Sequence, residues 1–291
     1  EPGNPKSSPT NARRRIEVEA GHCDLSVLFM AASPDAASSG LWILDLDYEA
    51  EEAAILAATQ PTALSVAVEE SGCAEFLRDR LSGEEAFEVL HLSCHGTVLA
   101  PGEAARLASY GAEAGPALLF ESVVGDVEFV SPADLAGTWA DRAPGLVFLS
   151  ACRTAEAGGG AVESFARTLV RAVPVVLGWD GSVYDQDAIA FASSLYDGLS
   201  RFEAPAFAAA VARRALLLAH LSDPASGKHW HLARVWVGAG GGGRIWAGWL
   251  PAANCRRGVW EPAAGAAADA EPLAREGAAA PAAGGIPQTS Q

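Results

Sequence analysis

The chain has 291 residues, half of them hydrophobic, and a formal net charge of −16. That length is ample for a sizeable core, in one large domain or two small ones. The acidity argues against a nucleic-acid groove or an anionic membrane surface as the main partner, and no apolar run is long enough to span a bilayer.

Residues 1–22 form a polar lead-in, in which Arg13-Arg14-Arg15 reads as a solvated run rather than a binding patch. Glu1–Thr10 lacks the apolar core of a secretory signal, and without an initiator Met the sequence reads as an excised or processed piece. Leu25–Ala31 is a first strand. Asp45–Ala58 reads as a helix, with Leu46, Ala50, Ala53, Ala54 and Ala57 toward the core and Glu49, Glu51 and Glu52 toward solvent. Leu64–Val68 is a second strand, Ala74–Leu81 a short helix, and Phe87–Leu92 a third strand. Strand, helix, strand, helix, strand implies a parallel sheet with right-handed crossovers.

After His95-Gly96 the rhythm breaks, and Ala117–Glu121 and Asp126–Val130 suggest a hairpin laid over the sheet edge. Ser131 caps a helix that has Pro132 in its first turn and runs to about Ala140. Leu146–Leu149 is a buried strand, Val162–Ala172 an amphipathic helix, and Pro174–Gly178 a further strand. Trp179–Asp187 is a loop, Ala188–Leu199 and Pro205–His220 are helices, and Trp230–Val237 is the last strand. Gly240–Gly243 follows it as a flexible turn, without the Lys-Ser/Thr of a phosphate loop. Residues 251–291 are Ala/Gly/Pro-rich, with too few large apolar residues to offset their ordering entropy, and read as a disordered linker.

Two strands end in reactive side chains. One closes on Ser93-Cys94-His95-Gly96, the other on Ser150-Ala151-Cys152. In a parallel sheet both ends lie at the carboxyl edge, where ligands and catalytic groups collect. A thiol is a poor nucleophile until deprotonated, and a nearby imidazole can take its proton. His95 and Cys152 are therefore the candidate catalytic pair, with the backbone N–H groups of Gly96 and Cys152 as a candidate oxyanion hole. His91, in mid-strand, is the poorer candidate because it would be buried. Cys94 turns to the opposite face by strand alternation. The five cysteines are scattered, with no C-x-x-C spacing, so neither a disulfide framework nor a zinc site is indicated and a reducing cytoplasm is the expected compartment.

These motifs carry a family resemblance. V-L-H-L-S-C-H-G at Val89–Gly96, L-V-F-L-S-A-C-R-T at Leu146–Thr154 and V-L-G-W-D-G-S-V-Y-D at Val176–Asp185 resemble the CHAT family, together with W-H-L-A-R-V-W-V-G at Trp230–Gly238 and L-F-M-A-A-S-P at Leu28–Pro34. CHAT proteins are caspase-like cysteine peptidases related to caspases and separase. The resemblance implies a three-layer α/β/α caspase-like sandwich with a mostly parallel central sheet, spanning residues 23–250. It matches His95 to the family's catalytic histidine, Cys152 to its nucleophile and Gly96 to an oxyanion position. It further implies a protein or peptide substrate, no cofactor or metal, and a fused or associated sensor, a repeat or a nucleotide-binding domain, in bacterial defence or signalling.

No third triad member is evident, and a dyad is expected. The loop Trp179–Asp187 is the expected specificity wall, where Asp180, Asp185 and Asp187 can hold a basic side chain before the scissile bond. The competing role for Asp185 is helix capping. The rival function, from another class, is a catalytically inactive protein-binding module. A Rossmann nucleotide site is disfavoured, because Met30–Pro34 supplies no glycine-rich turn after the first strand.

Overall fold

The structure is a computed structural model that describes residues 25–35, 39–41, 46–60, 64–83, 86–139, 143–152, 164–201 and 203–238, with the backbone of 255–256 and 259–260. The expected lead-in over residues 1–22, the Gly240–Gly243 turn and most of the expected linker lie outside those residues. Within the linker stretch, Cys255–Arg256 and Val259–Trp260 pair antiparallel.

The main sheet is built from β1 (Leu25–Ala31), β2 (Leu64–Glu69), β3 (Val89–Ser93), β7 (Leu146–Ser150), β8 (Val175–Trp179) and β9 (Ala233–Val237), with β4 (His95–Leu99), β5 (Gly115–Glu121) and β6 (Val127–Val130) forming a second sheet. The strand order is β2-β1-β3-β7-β8-β9. Every pairing is parallel except β8 with β9. The expected fold, α/β with a mostly parallel central sheet, is what forms.

Strand alternation divides the core in two. Leu28, Met30, Leu90, Leu92, Val147 and Leu149 face one side and pack with α2 (Ala74–Ser82), α4 (Pro132–Ala136) and α5 (Phe165–Leu169). Val27, Phe29, Val89, Leu146, Phe148, Val175 and Leu177 face the other and pack with α1 (Tyr48–Thr59), α6 (Asp185–Ser200) and α7 (Pro205–Ser222). Buried on both faces, the central strands read as unbroken apolar runs, as parallel strands must. The result is three layers, helix, sheet and helix.

Three expectations are corrected. First, where the rhythm breaks the sequence reading has no strand, yet His95 starts β4 (His95–Leu99), which pairs antiparallel with β5 (Gly115–Glu121), itself paired with β6 (Val127–Val130). The expected hairpin is thus the outer part of a three-stranded sheet, and α3 (Pro101–Arg106) follows β4 with Pro101 in its first turn. Secondly, the helix after Ser131 is capped by Ser131 as expected, in a capping box with Asp134, but stops at Ala136.

The third correction concerns α1, which is turned relative to its sequence reading. Ala53 and Ala57 are exposed, whereas Glu51, Ile55 and Thr59 are buried. Alanine buries too little area to orient a helix. Ile55 and a polar contact made by Glu51 set the facing instead.

Candidate active site

The same alternation that sorts the core aims the ends of β3 and β7. His91, Ser93 and His95 share one parity, and so do Phe148, Ser150 and Cys152; in the β3–β7 ladder His91 stands opposite Phe148 and Ser93 opposite Ser150. This face meets α1 and α6. One cavity of about 840 Å³ opens there, and its lining includes Glu51, Ser93, His95, Ser150 and Cys152. Two side chains 57 positions apart in the sequence, an imidazole and a thiol, thus line one space. Both residues are half-buried.

Cys152 has a neighbour that the sequence did not announce. The Val183 N–H points at its Sγ from 3.4 Å, and the sulfur lies 3.9 Å from the Val183 carbonyl oxygen. Val183 thus offers the sulfur an amide donor and, more distantly, a carbonyl that can accept from the thiol. Val183 sits in the loop expected to wall the site, and Ser182 to Gln186 line the cavity.

Cys94, one residue before His95, turns away. It is 2 % exposed and belongs to the cluster of Leu90 and Leu92 on the opposite face. Burial, with smaller contributions from the nearby Glu51 and Cys152 charges, pushes its thiol far up. Its position also brings it to the cavity lining.

Beneath the cavity lies a buried polar network. Glu51, on α1, is 4 % exposed. Its carboxylate accepts hydrogen bonds from Ser93 Oγ and Ser150 Oγ, each at 2.7 Å. His91 Nε2 stands 3.3 Å from Glu51 Oε1, close enough for charge attraction but off line for a hydrogen bond. On its other side His91 Nδ1 meets the Tyr196 hydroxyl at 3.2 Å. The ring is enclosed by Phe29, Phe148 and Tyr196, consistent with the expectation that His91 is buried. Burial works to raise the Glu51 carboxyl, but attraction to His91 and the hydrogen bonds of Ser150 and Ser93 outweigh it and hold the group below its ordinary range. Burial, reinforced by the Glu51 charge, pushes the Tyr196 phenol well up, so it stays protonated.

Two of the aspartates expected to meet substrate are placed differently. Asp185 lines the cavity, and its Oδ2 lies 3.4 Å from the Asp47 backbone N. It is the first residue of α6, and the N-cap is Tyr184, so Asp185 does not cap the helix. Asp180 pairs with Arg234 at 2.8 Å and is not among the residues lining the cavity. Asp187, expected with them to meet a basic side chain, is instead a structural anchor turned to the fold's own groups and is not among the residues lining the cavity. Buried, it accepts from the Gly227 N–H at 2.8 Å, from the His229 N–H at 3.0 Å and from His229 Nδ1 at 2.8 Å. Gly227 has φ +61°, and a Cβ there would collide with the Leu216 carbonyl, so only glycine brings this amide to Asp187. The anchor fixes the first turn of α6 and, with it, the loop bearing Val183.

Gly96 on β4, the other expected oxyanion residue, stands opposite Leu118 of β5 and is not among the residues lining the cavity. Among the described residues no group of three or more His, Cys, Asp or Glu is placed to hold a metal ion, and no helix is long and apolar enough to cross a membrane.

Comparison with known proteins adds the following. The model of the CHAT domain family matches residues 4–243. No curated protein matches the sequence. Similar solved structures include the Arg-specific cysteine proteinase gingipain R, at 12 % identity and a TM-score of 0.47 over 76 % of this chain and 48 % of that one. The complex of the Porphyromonas gingivalis RgpB pro- and mature domains matches at 12 % identity and a TM-score of 0.45, over the same shares of each chain. Caspase-1 from Spodoptera frugiperda matches at 13 % identity and a TM-score of 0.43, over 79 % of this chain and 93 % of that one. The present chain spans about half the length of the gingipain chains.

Proposed function

The chain belongs to the CHAT domain family, and on that premise we propose that it is a cysteine endopeptidase working through a dyad of His95 and Cys152. The observation that carries the reading is the shared cavity: the two side chains, delivered by different strands, line one space into which the Val183 amide also points. In this mechanism His95 takes the proton of Cys152 Sγ, and the thiolate attacks the carbonyl carbon of the scissile peptide bond. The backbone N–H groups of Gly96 and Cys152 receive the oxyanion. Collapse of the tetrahedral intermediate expels the amine with the proton held by His95, leaving a thioester. Water then attacks the thioester, giving its proton to His95, and the acid departs as the thiol reforms.

Asp185, in the cavity wall, offers a negative charge to a basic substrate side chain, while the carboxylate of Asp180 is taken by Arg234. The wider reading, a cytoplasmic effector gated by a fused or associated sensor in bacterial defence or signalling, is supported by family membership.

The test is covalent capture. The full chain is treated with a peptidyl acyloxymethyl ketone and the adduct is located by mass spectrometry. Modification at Cys152 that disappears in His95→Ala supports the peptidase. No adduct at Cys152 in any state, including with a native sensor attached, supports the inactive binding module instead.

A further inference from the structure

We propose that Glu51 is a positioning residue that clips together the two strand ends bearing the dyad; the proposal rests on His95 and Cys152 being the catalytic pair. One carboxylate, from α1, receives a hydroxyl from each of two strands: Ser93 on β3 donates to Oε2 and Ser150 on β7 to Oε1, both at 2.7 Å. Ser93 and Ser150 stand opposite each other on the last rung of the β3–β7 ladder. Beyond that rung the chains part. His95 enters β4, which belongs to the other sheet, and Cys152 leaves β7. Regular pairing therefore stops one alternation short of each reactive side chain, and Glu51 grips the final paired residues on the face toward which those side chains point.

The chemistry suits a clip rather than packing. Filling this volume needs no charge, and a buried carboxylate costs free energy unless it is fully partnered. An ionised carboxylate only accepts hydrogen bonds, so it fixes two hydroxyl donors at once in a defined direction. His91 and the two serine hydroxyls together favour its charged form, and His91 is itself braced by Tyr196 of α6. That helix begins just after Val183, whose amide faces the Cys152 sulfur. The network thus joins α1, β3, β7 and α6, four elements that contribute to the cavity wall. Small displacements of a reacting group are enough for large rate losses, about 100-fold for about 1 Å.

Steady-state cleavage of a peptide substrate by the full chain tests this, with melting temperature and circular dichroism recorded for every variant. Glu51→Gln is expected to lower kcat about 100-fold with KM changed by less than about 2-fold. Ser93→Ala and Ser150→Ala are each expected to lower kcat about tenfold, and to add little when combined with Glu51→Gln, because residues acting as one unit are not additive. If Glu51→Gln does not fold, the two serine variants and their double variant carry the same test. Unchanged kcat in folded variants overturns the proposal. So does a change in KM or in the preferred substrate side chain at constant kcat, which would make Glu51 a substrate contact. So, too, do losses in kcat that multiply independently. A wild-type chain whose Cys152 is neither captured by the ketone nor able to cleave peptide overturns the peptidase reading itself, whereas a captured wild type with an unaltered Glu51→Gln overturns the clip alone.

Discussion

Cys94 and Cys152 end adjacent strands of one sheet, yet their surroundings are opposite. Cys94 has the parity of Leu90 and Leu92, lies in the apolar core, and has its thiol driven far up by burial. Cys152 has the parity of Phe148 and Ser150, is half-exposed, and faces an amide donor. Composition does not separate them, since each follows a serine within two residues. What separates them is a single step of strand alternation, which packs the Cys94 side chain with Leu90 and Leu92, even though the residue also borders the cavity, and turns Cys152 toward Val183.

The sharpest way to break this contrast is chemical. At neutral pH, iodoacetamide is expected to alkylate Cys152 at least about 100-fold faster than Cys94, because the thiolate and not the thiol reacts. Peptide mapping after short exposure reads the two sites separately. Comparable rates would mean that burial does not silence Cys94. In the same chain, Cys152→Ala is expected to abolish peptide cleavage, a loss of about 1,000-fold or more, while Cys94→Ala retains it.

A second test addresses what lies under the reactive face. Breaking a buried, paired carboxylate costs about 3–5 kcal/mol, so Glu51→Ala should lower stability by that order in urea unfolding. The pH dependence has a definite sign. The folded Glu51 carboxyl titrates below its unfolded value, so its contribution is present above the unfolded pKa of about 4.3 and fades as pH falls through the folded value. Glu51→Gln should therefore flatten the acid limb of the stability profile. An acid limb as steep in the variant as in the wild type would show that Glu51 is not held in its charged form by folding.

The fold was legible wherever apolar period and strand ends spoke together. β1 occupies the expected residues, and β3, β7 and β8 fall within a residue or two of their expected bounds. That His95 and Cys152 line one cavity could be anticipated because a parallel sheet sends all its carboxyl ends the same way. What stayed hidden depends on distant partners. Glu51 reads as a solvent-facing acid because its serines lie 42 and 99 residues away. Asp187 reads as a loop acid because Gly227 and His229 lie 40 and 42 residues on. β4 was missed because one bend, at Cys94, separates it from β3, and a run of H-G-T-V-L is too weakly apolar to declare a new strand. The serine two residues before each reactive side chain was the available signal for the clip: equal spacing in two strands places both hydroxyls on the face of the dyad.

A smaller effect sharpens the contrast from the buried side. Cys94→Ser puts a hydroxyl where the thiol had apolar neighbours, and an unpaired buried hydroxyl costs about 1–3 kcal/mol. Cys94→Ala removes one sulfur and leaves a small void, so it should cost less than the serine. If the serine variant is the more stable, Cys94 faces a polar space and the two faces are less distinct than their side chains indicate.

The smallest effect is expected at the cavity's margin, where two acids of the same loop region differ in what they face. Asp180 is engaged by Arg234 near the sheet edge, a partly exposed pair worth no more than about 1 kcal/mol. Asp180→Ala should shift stability by that or less and leave kcat/KM within about 2-fold. Asp185 lines the cavity, so Asp185→Ala should raise KM about tenfold, ~1.4 kcal/mol, for peptides with Arg or Lys before the scissile bond, and leave neutral peptides unaffected. A series of peptides differing in that one residue decides it. Equal losses across the series would make Asp185 a support for the start of α6, and a loss confined to Asp180→Ala would move the substrate's path to the far side of the loop, beside Arg234.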